Sequence, residues 1–146
     1  MKVQKSIEIN APPEKIWPYF TEPEKILAWC ITFKKFEFTG PQHSGVGTPV
    51  YIEEQAGGSL SRMQFVIDEW KEYSRLVLRM ISGGSYRSYI QQFSIQPLPV
   101  GCRVTFEEEV VFSYGVFGRL IGFFGEKMSA ATVDKMEIKL KGLAEA

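Results

Sequence analysis

The amino-acid sequence predicts an α+β fold in which a curled antiparallel sheet surrounds a long C-terminal helix. The middle of the chain consists of β-branched and aromatic segments separated by turn residues, which is typical of consecutive hairpin strands. A proline-free segment with apolar residues at three- and four-residue spacing follows at residues 115–146, which indicates a helix with one apolar face. Such strands followed by a long helix are typical of a sheet with a helix packed on one face.

The other elements follow from local patterns. Apolar and polar residues alternate from Val3 to Asn10, which predicts a first strand. Two short helices are expected next, because proline is favoured at a helix start and Pro18 limits the first of them. Six strands are then expected at Phe33–Thr39, Thr48–Gln55, Ser61–Trp70, Arg75–Ile81, Tyr86–Gln96 and Cys102–Ser113. A length of 146 residues fits one domain, expected over 1–146.

The C-terminal helix carries two apolar stripes. The first comprises Phe117, Leu120, Ile121, Phe124, Met128 and Ala131. Past Thr132 the stripe shifts to Val133, Met136, Leu140 and Leu143. We expect the first half of the helix to be buried and the second half to be more exposed. Segment 116–124 is apolar on more than one face, so it is a candidate for transient membrane or protein contact, with a second buried contact as the alternative.

The composition excludes several classes of protein. Seventeen basic and seventeen acidic residues give zero net charge, so the basic face that nucleic acid requires is not expected. A secretory signal and an 18-residue apolar run are not found in the sequence, so a cytoplasmic location is expected. Cys30 and Cys102 lie far apart and are expected to be buried, reduced thiols.

No metal site or cofactor is expected. His43 is the only histidine and the two cysteines are distant, so three or four nitrogen and sulfur ligands cannot be assembled. A Ser-His-Asp or Cys-His arrangement is not indicated. The glycines of Gly45-Val46-Gly47 precede a strand rather than a helix, which argues against a phosphate-binding loop.

Three motifs together resemble those of a known family. The first motif is an apolar strand that runs into Ala11–Trp17 (APPEKIW) and is followed by Glu22-Pro23 and Trp29. In the second, Phe93–Pro97 precedes Gly101–Phe106. The third is Leu140–Glu145, next to the last residue of the sequence. This pattern resembles the START-like superfamily (polyketide cyclase/dehydrase and lipid transport, SRPBCC, Bet v 1-like), although the family usually has threonine where this chain has Cys102. The resemblance covers the whole chain. It implies the helix-grip fold, a seven-stranded antiparallel sheet around a long helix, with a cavity between them for a lipid, polyketide or aromatic molecule.

Alternation along the last strand predicts which side chains face the helix. Its inner face carries Cys102, Val104, Phe106, Glu108, Val110 and Phe112, among which Glu108 is the only charge. An unpaired carboxylate in a solid core costs several kcal/mol, whereas a cavity with a few polar groups tolerates it. The alternative is that Glu108 lies near a strand end or in a bulge and reaches water.

Hairpin geometry extends this inner face. If the Pro97–Gly101 turn pairs Phe93 with Phe106, then Gln91 lies opposite Glu108. A two-residue turn at Gly83-Gly84 would set Tyr89 beside Leu78. The turn at Glu72-Tyr73 would set Ile67 beside Leu78 and Phe65 beside Met80. The predicted ligand-binding residues are Phe65, Ile67, Leu78, Met80, Arg87, Tyr89, Gln91, Phe106, Glu108, Val110, Phe112, Ile121, Phe124 and Met128.

Three functions are compatible with this pattern. The favoured one is a carrier, sensor or chaperone for a hydrophobic small molecule, which needs only a cavity and a few polar anchors. The second is a cyclase or dehydratase, in which Glu108 with Tyr89 would supply acid–base chemistry and Arg87 would steady an anionic substrate. The third is a regulatory domain that binds a partner protein through the exposed half of the terminal helix.

Overall fold

The computed structural model describes the backbone of residues 1–56, 58–113 and 115–146, and the side chains of these residues except 56 and 115–128. Its strands are β1 (Lys2–Ile9), β2 (Phe33–Phe38), β3 (Pro49–Ala56), β4 (Ser59–Lys71), β5 (Arg75–Gly83), β6 (Tyr86–Pro97) and β7 (Cys102–Phe112). Its helices are α1 (Pro13–Ile16), α2 (Pro18–Thr21), α3 (Pro23–Trp29) and α4 (Gly115–Glu145). No helix in these described ranges is long and apolar enough to cross a membrane.

The strands form one seven-stranded sheet in the order β1-β7-β6-β5-β4-β3-β2, and neighbouring strands are antiparallel. β1 closes one edge beside the last strand, and β2 forms the other edge. The predicted fold class is therefore confirmed. The structure differs in having three short helices after β1 in its described residues, because Pro18 and Pro23 each begin a new helix.

The strand register agrees with prediction in two of three hairpins. Phe93 pairs with Phe106 across β6 and β7, as the Pro97–Gly101 turn predicts. β4 and β5 also pair in the predicted register. The β5–β6 register was predicted wrongly by two residues: Leu78 lies opposite Gln91, because the turn falls at 84–85 rather than 83–84. Gln91 of β6 therefore lies between Leu78 of β5 and Glu108 of β7.

Aromatic residues fill the part of the core between the sheet and the short helices. The ring of Phe93 lies 5.1 Å from Phe20 and 5.1 Å from Phe106, measured between ring centroids. Trp29 packs edge-on against Phe93 at 6.1 Å, and its indole nitrogen donates a hydrogen bond to the Tyr19 carbonyl at 2.7 Å. The indole group is therefore buried with its polar atom paired, as stable burial requires.

The second half of α4 has a buried inward face and an exposed outward face, on which Ile138 is 66% exposed. Val133, Met136 and Leu140 are each at most 3% exposed, because they lie in the core beneath the sheet. Polar contacts fix the end of the helix to the end of β1: Lys141 Nζ donates to the Glu8 carbonyl at 2.8 Å, and Glu145 accepts from the Asn10 amide at 2.9 Å. The expectation that the first half of the helix is buried stays a prediction, because the side chains of residues 115–128 lie outside the described part of the structure.

Gly101 is the glycine that the β6–β7 turn requires. Its φ is +72°, and a Cβ there would overlap the carbonyl oxygen of Ile9. We predict that Gly101→Ala lowers the free energy of unfolding by about 2 kcal/mol or more, since both left-handed strain and a backbone clash oppose it. Gly142→Ala is the matched control, because no atom lies within 4 Å of a Cβ at Gly142 in α4.

Urea unfolding of both variants checks this prediction. The free energy of unfolding of Gly142→Ala should rise by about 0.5–1 kcal/mol, because alanine has the higher helix propensity. Equal stabilities for the two variants would contradict the assigned turn geometry.

Candidate functional site

A cavity of about 480 Å³ lies between the sheet and α4. The inner face of β7 and the helix residues 129–136 contribute to its walls. The segment from Cys30 to Phe33, the end of β3, the start of β4, the first half of β6 and Met1 also contribute. Most of the lining surface is apolar, and the polar atoms come from Ser, Thr, Tyr, Gln and Glu side chains. The described lining residues are Met1, Cys30, Thr32, Phe33, Glu54, Gln55, Ser59, Ser61, Ser85, Tyr86, Gln91, Phe106, Glu108, Val110, Phe112, Ser129, Thr132, Val133 and Met136.

Glu54 of β3 organises the polar side of the cavity. Its side chain is only 6% exposed, and each carboxyl oxygen accepts one hydrogen bond. The Tyr89 hydroxyl donates to Oε1 at 2.9 Å, and the Thr32 hydroxyl donates to Oε2 at 3.1 Å. Burial raises the pKa of Glu54, and these two donors act in the opposite direction because they stabilise the carboxylate. Burial outweighs the two donors, so the pKa of Glu54 remains raised.

Gln91 continues this chain of hydrogen bonds. Its amide nitrogen donates to the Tyr89 hydroxyl at 2.9 Å, which leaves its amide oxygen buried and without a hydrogen-bond partner among the described residues. Gln91 is 1% exposed and lines the cavity. A buried amide oxygen of this kind costs about 1–3 kcal/mol when unpaired, so it is a natural acceptor for a ligand.

Glu108 of β7 lies opposite Gln91 and lines the same cavity. Burial raises its pKa to about 8, the charge of Glu54 adds to the rise, and the Tyr89 hydroxyl partly offsets it. Glu108 retains some accessible surface because it faces the cavity, although protein surrounds it. Since two neighbouring buried carboxyls do not both ionise readily, the pair retains a proton to a higher pH than an isolated glutamate does.

Cys30, which follows α3, also lines the cavity. Burial raises the pKa of its thiol well above 9.0, and the charges of Glu54 and Glu108 act in the same direction. The thiol is therefore protonated and of low reactivity at neutral pH. Cys102 is also buried, and both cysteines are free.

The structure brings some of the predicted ligand-binding residues to the cavity and places others elsewhere. The predicted residues that line it are Gln91, Phe106, Glu108, Val110 and Phe112. Tyr89 lies behind this wall, where it joins Gln91 to Glu54. The predicted residues that pack in or against the core are Phe65, Ile67, Leu78 and Met80. Ile121, Phe124 and Met128, like segment 116–124, lie outside the described side chains.

Arg87 does not face the cavity, and the expectation that it does is wrong. The register of β6 against β7 shifts between Tyr86 and Ser88, so Arg87 occupies a β-bulge and its side chain is exposed. A bulge inserts one residue and so reverses the alternation beyond it. Tyr86 lines the cavity instead, and its ring lies 5.3 Å from that of Tyr89.

Glu54 was missed by sequence reasoning although the sequence carries a signal for it. Val50, Ile52 and Glu54 alternate along β3, and the first two are fully buried. The same alternation that identifies Glu108 in β7 therefore places Glu54 on the inner face. Cys30 and Thr32 precede β2 and have no periodic signal of this kind.

Among the described residues, no group of three or more His, Cys, Asp or Glu side chains could hold a metal ion. His43 is exposed in the loop before β3, where its ring stacks on Phe38 at 4.6 Å.

Comparisons with known proteins identify the family and the fold. A sequence profile for the family described as "Polyketide cyclase / dehydrase and lipid transport" matches residues 1–146. The structure of TTHA0849 from Thermus thermophilus superposes with a TM-score of 0.82 at 19% identity, covering 99% of this chain and 97% of that one. A START superfamily protein from Mycobacterium smegmatis gives 0.80 at 18% identity, with the same coverage of 99% and 97%.

One further solved structure and one further sequence relative are similar to this chain. The Zhui aromatase/cyclase from Streptomyces sp. R1128 superposes with a TM-score of 0.68 at 13% identity, covering 99% of this chain and 90% of that one. The uncharacterized protein Rv2574 of Mycobacterium tuberculosis is 24% identical over 102 residues, which are 68% of this chain. The match covers 59% of the length of that relative.

The raised pKa of Glu108 predicts a specific pH dependence of stability. A carboxyl whose pKa rises from 4.5 in the unfolded chain to about 8 in the folded protein contributes stability that is fully present below pH 4.5 and is lost as pH rises toward 8. Glu108→Gln should therefore become more stable relative to the wild type across this window, by up to about 1.4 kcal/mol per pH unit.

Urea unfolding at several pH values measures this difference. Glu137, whose pKa burial raises to about 7, is present in both proteins and so cancels. Glu109→Gln, on the exposed face of the same strand, is the matched control. If the difference in the free energy of unfolding between Glu108→Gln and the wild type stays constant from pH 5 to 8, Glu108 is not held protonated.

Proposed function

Because this chain belongs to the polyketide cyclase/dehydrase and lipid-transport family, we propose that it binds a hydrophobic small molecule in the cavity between sheet and helix, as a carrier, sensor or chaperone. The observation that carries the proposal is the 480 Å³ cavity itself, with a compact polar cluster on one wall. Ligand sites of this kind are typically apolar with a few convergent polar groups. A lipid, polyketide or aromatic molecule has the required apolar surface.

The polar cluster would fix the orientation of such a ligand. Gln91 offers an acceptor, and protonated Glu108 offers a donor on the neighbouring strand. Tyr89 and Thr32 hold Glu54 in place, so the cluster is formed before a ligand enters. A preformed site avoids the entropy cost of ordering these side chains during binding.

An enzymatic function is the second candidate, and the carboxyl pair favours it. Glu108 holds a proton near neutral pH, and Glu54 is a carboxylate in the same cavity. Dehydration or cyclisation of a polyketide-like chain requires such an acid and base. The similarity of the fold to an aromatase/cyclase is consistent with this chemistry. The partner-binding alternative stays a prediction, since the outward face of the second half of α4, which includes the 66% exposed Ile138, is open to solvent.

The binding proposal predicts that filling the cavity abolishes ligand uptake. Val110 is 1% exposed and lines the cavity, whereas its neighbour Val111 is 41% exposed on the other face of β7. Titration with the neutral fluorescent probe N-phenyl-1-naphthylamine should show saturable binding to the wild type. Val110→Trp should weaken binding at least about tenfold, because the indole occupies ligand volume.

Val111→Trp is the matched control and should bind the probe as the wild type does. Circular dichroism should first establish that both variants are folded. Failure of the wild type to bind the probe, or equal binding by the two folded variants, would contradict a ligand site in this cavity.

Native mass spectrometry of protein purified from its own host separates the two functions. A carrier should retain the same molecule in the wild type and in Glu108→Gln. A dehydratase should retain, in Glu108→Gln alone, a substrate heavier than the wild-type product by one water, and a cyclase should retain there an isomer of the product that fragments differently. Recovery of one unchanged molecule from both proteins would count against catalysis.

A further inference from the structure

We infer that the cavity prefers hydrophobic molecules that carry a protonated amine over alcohols and carboxylic acids with the same apolar tail. The inference rests on the proposed function, because it concerns the ligand of the same cavity. It follows from the polar atoms that the cavity presents and from the sign of its charge.

The polar cluster of Gln91, Glu54 and Glu108 presents acceptors, whereas the Ser, Thr and Tyr hydroxyls elsewhere in the lining can donate or accept. The Gln91 amide oxygen is buried and unpartnered among the described residues, and it belongs to a side chain that is 1% exposed. Each oxygen of Glu54 accepts one hydrogen bond and can accept another. Glu108, once ionised, adds a further acceptor opposite Gln91. An ammonium group has three donors and no acceptor, so it complements this arrangement.

The charge of the cavity has the sign that a cation requires. Glu54 and Glu108 both line it, and no Lys, Arg or His side chain is among the described lining residues. Met1 also lines the cavity and carries a positive charge, and its α-ammonium donates to the Val110 carbonyl at 2.7 Å, so two carboxyl groups face one cation in the described lining. The other titratable groups that line the cavity or face Glu108 are Cys30, Tyr86 and Tyr89, which are uncharged when protonated.

These groups would bind an ammonium head group more strongly than a carboxylate head group. A carboxylate head would meet the negative charge of Glu54 in an apolar surrounding, which opposes its entry. An ammonium head would favour ionisation of Glu108, whose proton would pass to the buffer. The ammonium would then form a charge-assisted hydrogen bond with the resulting carboxylate. It could donate a second bond to the Gln91 amide oxygen, which would remove the cost of leaving that atom unpaired.

Competition among three probes with one tail tests the inference. Dodecylamine, 1-dodecanol and dodecanoate, each below its micellar concentration, would displace N-phenyl-1-naphthylamine from the wild type at pH 7. We expect dodecylamine to bind at least about tenfold more tightly than dodecanol, and dodecanoate to bind most weakly. In Glu108→Gln the preference for amine over alcohol should fall at least about tenfold, whereas Glu109→Gln should retain it.

The outcomes separate this inference from the function on which it rests. If dodecanol and dodecanoate displace the probe as well as dodecylamine does, the cavity binds apolar molecules without selecting for charge, and the inference alone fails. A wild-type preference for the amine that persists in Glu108→Gln would also overturn it. If none of the three displaces the probe, or the probe itself does not bind, the proposed ligand cavity fails as well. The wild-type series decides the matter even if Glu108→Gln does not fold.

Discussion

The carboxyl group of Glu108 lies inside an apolar cavity, and the rest of the site depends on how its charge is accommodated. Glu54 of β3 lines the same cavity, so two carboxyl groups lie close together in one region of low polarity. Hydrogen bonds from Tyr89 and Thr32 stabilise the charge on Glu54, and burial together with that charge raises the pKa of Glu108. A packed core would not tolerate this pair, whereas a ligand-binding cavity can use it.

The sheet positions this pair by simple geometry. Alternation along β7 and β3 directs Glu108 and Glu54 inward. Three strands lie between β7 and β3 in the sheet order, but both side chains reach the same cavity because the sheet curls. The inward face of the second half of α4 covers the opposite side through Val133 and Met136. Contacts from Lys141 and Glu145 to the end of β1 hold that half in place. Most of the described lining residues thus belong to strands or to α4, and Cys30, Thr32 and Ser85 come from connecting segments.

Much of this arrangement could be predicted from the sequence, because local periodicity determines which face a strand residue occupies. Glu108 and its pairing with Gln91 were predicted from alternation and from one turn. The same rule would have identified Glu54 beside Ile52. Arg87 could not be placed, since a bulge changes the alternation without a sequence signal. Similarly, the choice between adjacent turn positions near Gly84 shifted one register by two residues.

Nuclear magnetic resonance titration of the Glu108 side-chain carboxyl tests the central claim most directly. The carbon chemical shift of this group, assigned by comparison with Glu108→Gln, reports its protonation at each pH. A midpoint near pH 8 in the ligand-free protein is the expected result, since burial and the charge of Glu54 both oppose ionisation. A midpoint near the ordinary value of 4.5 would show that Glu108 is solvated, and the polar site described for this cavity would then be wrong.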